Sequence, residues 1–455
     1  MKEGFFPCGS HRGVDSGRSC SRSPLPAGEV LTPEFWIRKL PDPDEVILSE
    51  EEIAAFNLEI RGRLSGIVLD LASYPEEMAG EELKRLLEER KPPEKELYLG
   101  GRRLGASFWE ELLREMNLEE IKKINRVRYA CTVRPTWIRV FPAAAMITDR
   151  PEEREFDLFQ ETALDPAEPV IVLHESAGGE WLFVQASFSR GWVAAADLAV
   201  ADSREAWLDY LEAKSFLVVT GSRLRLGYNP CSPEVSELEF LMGSRIPLAA
   251  PEEIPEVVDN QSPAGNYVVK LPVRGENGEL AFKLALVPRV ADVYEGYLPY
   301  TRAGIIRQAF KMLGERYGWG GRYNLRDCSA FVRDVYRSFG FQFPRNSREQ
   351  ELVPGRDVFF ANAGEEKRGR LLDRLLPGAT LHMPGHVMLY LGRHRDEYYV
   401  IHAIAYCGER EKRVPDDTIA AVPVNEIAVT TLSLPRRATG RKLQAALTLG
   451  KQIGR

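Results

Sequence analysis

The spacing of apolar residues changes twice along this chain, so it cannot fold as one repeating layer. Up to residue 128 the apolar positions recur at helical spacing. Ser49-Glu50-Glu51-Glu52 reads as a capping box before Ile53, Phe56 and Ile60, and further helical stretches are predicted over 82–90 and 108–117, with Phe108, Leu112 and Leu113 on one face. From Trp137 to Asp202 short apolar runs alternate with turn residues. An example is Val170-Ile171-Val172-Leu173, then Ala177-Gly178-Gly179-Glu180, then Trp181-Leu182-Phe183-Val184. A second block of this kind runs from Phe216 to Val293, with the turn Gly275-Glu276-Asn277-Gly278 between two strand-like runs. From Tyr300 helices come first and strands follow. The expectation is a multi-domain chain: a tail over 1–32, a helical N-terminal module over 33–128, two small all-β barrels over 129–205 and 206–298, and a C-terminal α+β domain over 299–455.

Length agrees, since 455 residues at roughly 150 per domain leave room for about three cores. The 60 Lys and Arg against 67 Asp and Glu give a formal charge of -7, with no concentrated basic face, which argues against a nucleic-acid partner. No run approaches the roughly 18 apolar residues of a membrane span. No signal peptide is readable in the first 27 residues, which favours a cytoplasmic location, or a periplasmic or envelope one if the start is mis-set or a leader is absent. Six cysteines (Cys8, Cys20, Cys131, Cys231, Cys328, Cys407) without a C-x-x-C pair suggest neither a disulfide scaffold nor a zinc site.

Four fragments of the last domain carry chemistry. Tyr317-Gly318-Trp319-Gly320-Gly321 is a glycine-interrupted aromatic loop. Asp327-Cys328-Ser329 precedes Phe331, Val332, Val335, Tyr336 and Phe339 at helical spacing, so Cys328 falls at a helix start, where free amides and the helix dipole favour a thiolate. Gly385-His386-Val387 opens one strand, and Tyr398-Tyr399-Val400-Ile401-His402 forms a second. A hairpin pairing Gly392 with Asp396 would set His386 directly opposite His402, with Cβ atoms about 5 Å apart. A nucleophilic thiol needs such an imidazole, held by a third polar group. His382 and His394 are placed in a loop and a turn with solvated side chains, while His174 and His11 lie outside this domain.

Taken in this order, these fragments, with Tyr390-Leu391-Gly392, resemble the NlpC/p60 family of papain-like cysteine peptidases acting on bacterial cell-wall peptides. Arg128-Tyr129-Ala130, Trp137 to Pro142, Trp181 and Gly191-Trp192-Val193 are similar to a bacterial SH3-like domain found in its multi-domain branch, and 35–117 to that branch's N-terminal module. The resemblance implies two SH3-like barrels, a papain-like catalytic domain, and Cys328, His386 and His402 as nucleophile, base and orienting group. It implies hydrolysis of the γ-D-glutamyl bond to L-Lys or diaminopimelate in peptidoglycan stem peptides or their released fragments, as in γ-D-glutamyl-L-diamino acid endopeptidases. It implies no metal and no organic cofactor. Asp327 and Ser329 match positions that hold a free L-Ala ammonium, and Tyr317 and Trp319 match aromatic pocket positions. Ala330 departs from a frequent Gly, and its methyl is expected to narrow the cleft.

Residue chemistry alone leaves alternatives open. Asp327 could cap its helix, Tyr317 and Trp319 could be core, and Ser347 and Gln350 read as a second capping box. The rival functions are a non-catalytic wall-binding protein and a thiol acyltransferase on the same fold.

Overall fold

The computed structural model describes residues 25–410, 419–437 and 439–454. Cys8, Cys20, His11 and the expected tail before residue 25 lie outside them. Order begins earlier than the tail expectation allowed. Gly28–Leu31 forms a short 3-10 turn whose Val30 is buried and accepts a bond from Trp36 Nε1 at 2.9 Å. Helix α1 (Pro33–Ile37) follows with Pro33 at its first position, and α2 (Glu50–Arg63) starts at the capping box read from sequence, Ser49 N–H donating to Glu52 at 2.8 Å.

Helices α3 (Gly80–Leu87) and α4 (Ala106–Glu115) complete the N-terminal segment, along with short strands at Val46–Leu48, Glu77–Ala79, Tyr98–Leu99, Arg102–Arg103 and Ile124–Arg126. Leu113, expected on the packed face of α4, is 43% exposed, while Leu112 is buried. The segment has no core of its own. Phe35, Trp36, Ile53, Ile60 and Leu64 join the hydrophobic cluster of the C-terminal unit, whereas Leu71, Leu83, Leu87, Leu112 and Met116 join that of the β-rich blocks. The physical reason is size. Short helices offer one apolar stripe each and bury it against the larger sheets nearest to them.

The first β block forms a seven-stranded antiparallel sheet. Its order is Leu198–Val200, Arg128–Thr132, Pro169–Glu175, Trp181–Gln185, Arg190–Ala194, Thr136–Arg139 and Gln160–Leu164. The Ala177–Glu180 turn lies where the sequence places it, between paired strands. Gly191 is indispensable there, because a Cβ would stand 2.5 Å from the Arg139 carbonyl oxygen. Helix α5 (Arg204–Leu211) then buries Trp207, whose Nε1 donates to the Ala130 carbonyl at 2.9 Å.

The second β block divides into three small ladders. They are Phe216–Val219 between Arg245–Pro247 and Val293–Glu295, Arg223–Arg225 with Glu239–Leu241, and the long hairpin Asn266–Arg274 with Leu280–Pro288.

In the last unit a six-stranded antiparallel sheet is ordered Arg356–Phe359, Leu449–Gln452, Thr380–Met383, His386–His394, Glu397–Arg410 and Ile419–Thr431. Helix α6 (Arg302–Phe310) and helix α7 (Cys328–Arg337) share one hydrophobic cluster with its Val387, Leu389, Ile401 and Val429 side chains. The apolar stripe of α7, made by Phe331, Val332, Val335 and Tyr336, faces that sheet. The α+β order expected from the sequence is the one observed.

Candidate active site

Helix α7 opens at Cys328 because Asp327 caps it, the carboxylate accepting from Ala330 N–H at 2.9 Å. The same carboxylate is held by Arg345 at 2.6 and 3.1 Å, and accepts from Gly320 N–H at 3.1 Å and Ser329 Oγ at 3.2 Å. Burial alone would raise this acid, but the Arg345 guanidinium and these amides hold it below its ordinary value. Ser329 Oγ in turn accepts from Arg345 at 3.0 Å. Asp327 and Ser329, expected to meet a substrate ammonium, are thus already saturated by the chain itself. Asp327 caps its helix, and both residues also line the cleft.

The two histidines meet, but not by the expected register. The turn is Arg395-Asp396, both at positive φ, as a two-residue antiparallel turn requires. Leu389 pairs with Ile401, Tyr390 with Val400, and a bulge then sets Gly392 opposite Tyr399 rather than Asp396. Continued along the strand, this register puts Ile404 opposite His386 and makes His402 its diagonal neighbour on the same face. Long rings span the diagonal, and His386 Nε2 lies 2.6 Å from His402 Nδ1. His402 is 0% exposed, and its Nε2 meets Thr430 Oγ1 at 3.0 Å. The chain of polar groups therefore runs His386, His402, Thr430.

Cys328 and His386 line the same cleft, and the Val387 amide adjoining His386 points at the Cys328 sulfur. Burial, with the Asp327 charge, pushes the Cys328 thiol up to about 12, against the amides of Val387 and Ser329 that pull it down. The thiolate expected at a helix start is thus opposed by burial, which outweighs the amides at the helix start. Burial, with the Arg436 charge, likewise lowers His386 to about 4, and burial holds His402 well below its usual value.

The cleft above these groups encloses about 860 Å³ and is lined by Tyr317, Trp319, Cys328, His386, Tyr406 and Arg436 among others. Ala330 does not line it, so the narrowing expected from its methyl is absent. One wall comes from the first barrel. Gln160 on the edge strand donates to the Gly320 carbonyl at 2.9 Å, and Glu161 opens onto the cleft. Gly320 and Gly321 have φ of 60° and 77°, and a Cβ on either would collide with Gln160 or Ala163. This explains the glycines of the aromatic loop. Trp319 Nε1 donates to the Asp157 carbonyl at 3.0 Å and stacks near Phe156, so Tyr317 and Trp319 join an aromatic cluster shared with the barrel.

His382 departs from expectation. It lies on the Thr380–Met383 strand, fully buried, with Nε2 2.9 Å from Thr380 Oγ1. His394 packs edge-on against Phe35, and His174 meets the Met116 and Asn117 carbonyls. The second capping box is formed by Asn346 and Glu349 instead of Ser347 and Gln350, which leaves Gln350 to donate to the Ser329 and Pro344 carbonyls. Sequence reasoning missed Thr430, Arg345 and Glu161. Only Arg345 had a local signal, standing in a segment read as structural. Among the described residues no group of three or more His, Cys, Asp or Glu is placed to hold a metal ion.

The profile of the NlpC/P60 family matches residues 314–408, a span that holds Cys328, His386 and His402. The chain carries an NlpC/P60 family domain. Upstream, the profile of an SH3 domain of the SH3b1 type matches 148–194, within the seven-stranded sheet. An NlpC/P60 endopeptidase from Photobacterium damselae subsp. piscicida is similar in fold over 91% of this chain and 96% of its own, with a TM-score of 0.73 at 16% identity. An NlpC/P60 family protein from Bacillus cereus ATCC 10987 aligns over 65% of this chain and 83% of its own, at 19% identity and a TM-score of 0.41. No curated protein sequence matches. NlpC/P60 is a family of cysteine peptidases, and with the SH3 domain it points to peptidoglycan-related substrates.

Proposed function

We propose that the NlpC/P60 domain of this chain hydrolyses the γ-D-glutamyl bond to L-Lys or diaminopimelate in murein stem peptides bearing a free N-terminal L-Ala. Cys328 serves as nucleophile, His386 as proton carrier and His402 as its orienting group. The observation that supports this reading is that Cys328 and His386 line one cleft, with His386 backed by His402 and then Thr430 beneath it.

His386 takes the thiol proton as sulfur attacks the γ-carbonyl, and amides at the start of α7 receive the oxyanion. The same imidazole then protonates the leaving amine, and afterwards it takes a proton from the water that releases the acyl group. His402 accepts or donates at the ring nitrogen that His386 turns away from sulfur, while Thr430 Oγ1 holds the His402 ring through its other nitrogen.

The free-amine preference is supported by the barrel wall, which ends the cleft at Gln160 and Glu161. Glu161 is the carboxylate of that wall that lines the cleft, and its ion-pair partner Arg90 is exposed, so Glu161 can receive a substrate ammonium. Mass spectrometry of L-Ala-γ-D-Glu-L-Lys and its diaminopimelate analogue, each free and N-acetylated, tests the proposal. Release of L-Ala-γ-D-Glu from the free peptides by wild type and not by Cys328→Ala is the expected result. Absence of cleavage would favour the wall-binding rival, and transfer of the acyl group to an added amine in place of water would favour the acyltransferase.

A further inference from the structure

A second cavity, of about 390 Å³, lies along the later turns of α7, away from Cys328, where the 61–72 segment, both β blocks and residues 340–343 meet. Its volume falls in the range of about 300–1,000 Å³ usual for small-molecule sites. Its walls are largely aromatic and apolar, with Phe188, Tyr210, Phe216, Tyr297 and Phe343 among them. The proposed catalysis uses none of these residues.

Arg333 lines this cavity and is 5% exposed, yet its Nε and Nη1 have no hydrogen-bond partner. Only Nη2 is engaged, with Asp334 at 3.3 Å, and the other oxygen of that carboxylate is taken by Arg326 at 2.7 Å. The guanidinium lies over the Phe188 ring at 4.1 Å, which fixes its plane. Buried guanidinium donors are almost always satisfied, so two orphans on a side chain that lines a cavity mark the place of a missing acceptor. Neighbouring cations are committed elsewhere. Arg337 pairs with Asp165 and Glu168, Arg245 with the Leu211 and Ala213 carbonyls, and Arg61 with Gln342.

We propose that this cavity binds a small molecule carrying a single carboxylate on an apolar body, with Arg333 receiving the carboxylate and the aromatic walls the body. Asp70, Glu168 and Glu212 also border the cavity and disfavour a dianion such as phosphate. Since Arg333 stands five residues after Cys328 on α7, occupancy would tighten the helix that presents the thiol.

The probe is 4-bromophenylacetate, titrated calorimetrically into the full chain and located in crystals by bromine anomalous scattering. The neutral 4-bromophenylacetamide and inorganic phosphate serve as the other arms. Expected is bromine beside Phe188, with the amide and Arg333→Gln each weakening binding by about tenfold or more, as loss of a charge-assisted bond does. Binding should be unchanged in Cys328→Ala, which separates this site from the cleft. If Arg333→Gln does not fold, the anomalous map and the amide comparison on wild type decide alone. Equal affinity for the amide, stronger binding of phosphate, or bromine only in the catalytic cleft or nowhere would overturn the proposal.

Discussion

Gln160 of the first barrel donates its side-chain amide to the carbonyl of Gly320 at 2.9 Å, joining an SH3-type edge strand to the aromatic loop beside the candidate nucleophile. Strand edges usually need protection from foreign strands, and here the loop covers one. The barrel is therefore a wall of the cleft as well as a neighbour to it. Gly320→Ala would set a Cβ 2.6 Å from Gln160 Cγ at a φ of 60°. Such strain costs about 1–3 kcal/mol, and urea denaturation should read that loss together with a fall in kcat/KM. Gln160→Ala should cost only about 1 kcal/mol, the net worth of one hydrogen bond.

The ion pair of Arg345 with Asp327 is buried on both sides. Arg345→Met removes the cation and leaves an unpaired buried carboxylate, for which about 3–5 kcal/mol of destabilisation is expected. The double variant with Asp327→Asn should recover part of that loss in the same denaturation experiment. Full additivity of the two substitutions would show that the pair acts as two independent groups.

Thr430→Val takes the hydroxyl from His402 Nε2 and keeps the shape of the side chain. Loss of one such bond, about 1 kcal/mol, corresponds to a fall in kcat of roughly fivefold with KM unchanged. His402→Ala should fall further while leaving a measurable remainder, whereas Cys328→Ala and His386→Ala should remove hydrolysis altogether. An unchanged kcat in Thr430→Val would assign that hydroxyl to packing alone.

Burial lowers His386 to about 4 and His382 to about 3. A free imidazole titrates near about 6.5, so between that value and about 4 the unfolded chain binds protons that the folded one refuses. Folding stability is then full above about pH 6.5 and declines as pH falls through that window. Melting temperatures from pH 8 to 4 should show this decline, and His386→Gln should make it shallower. A profile equally steep in both proteins would mean that His386 contributes nothing to acid sensitivity.

Much of this arrangement could be read from the residues, for reasons tied to particular positions. Ser49 and Glu52 form their capping box because both partners lie within one turn, so the information is local. Cys328 sits at a helix start for the same reason, with Asp327 immediately before it. His386 and His402 were placed near one another by a hairpin whose turn was visible, but the bulge after Tyr390 was not, because a single extra residue leaves no mark in alternation. The lowered thiol pKa was read from helix position, which is local, whereas the burial that opposes it is a property of the assembled cleft. His382 was misplaced for the same reason, as nothing beside it shows that the Leu449–Gln452 strand will cover it. Thr430 and Glu161 acquire their partners only through distant chain, whereas Arg345, 18 residues from Asp327, stood in a segment read as structural.

The seat of Trp36 has a consequence for how this protein is made. Its ring is buried among residues of the C-terminal unit and lies 5.2 Å from that of Tyr399, with well over 300 residues of chain between them. On the ribosome α1 and α2 emerge long before the sheet that receives them, so their apolar faces wait through synthesis of both β blocks. A fragment cut at residue 299 would lack these helices and open a cavity where Trp36 sits. The unit that carries Cys328 is thus assembled from segments far apart in the chain, and it is complete only once the strand holding Tyr399 has followed α1.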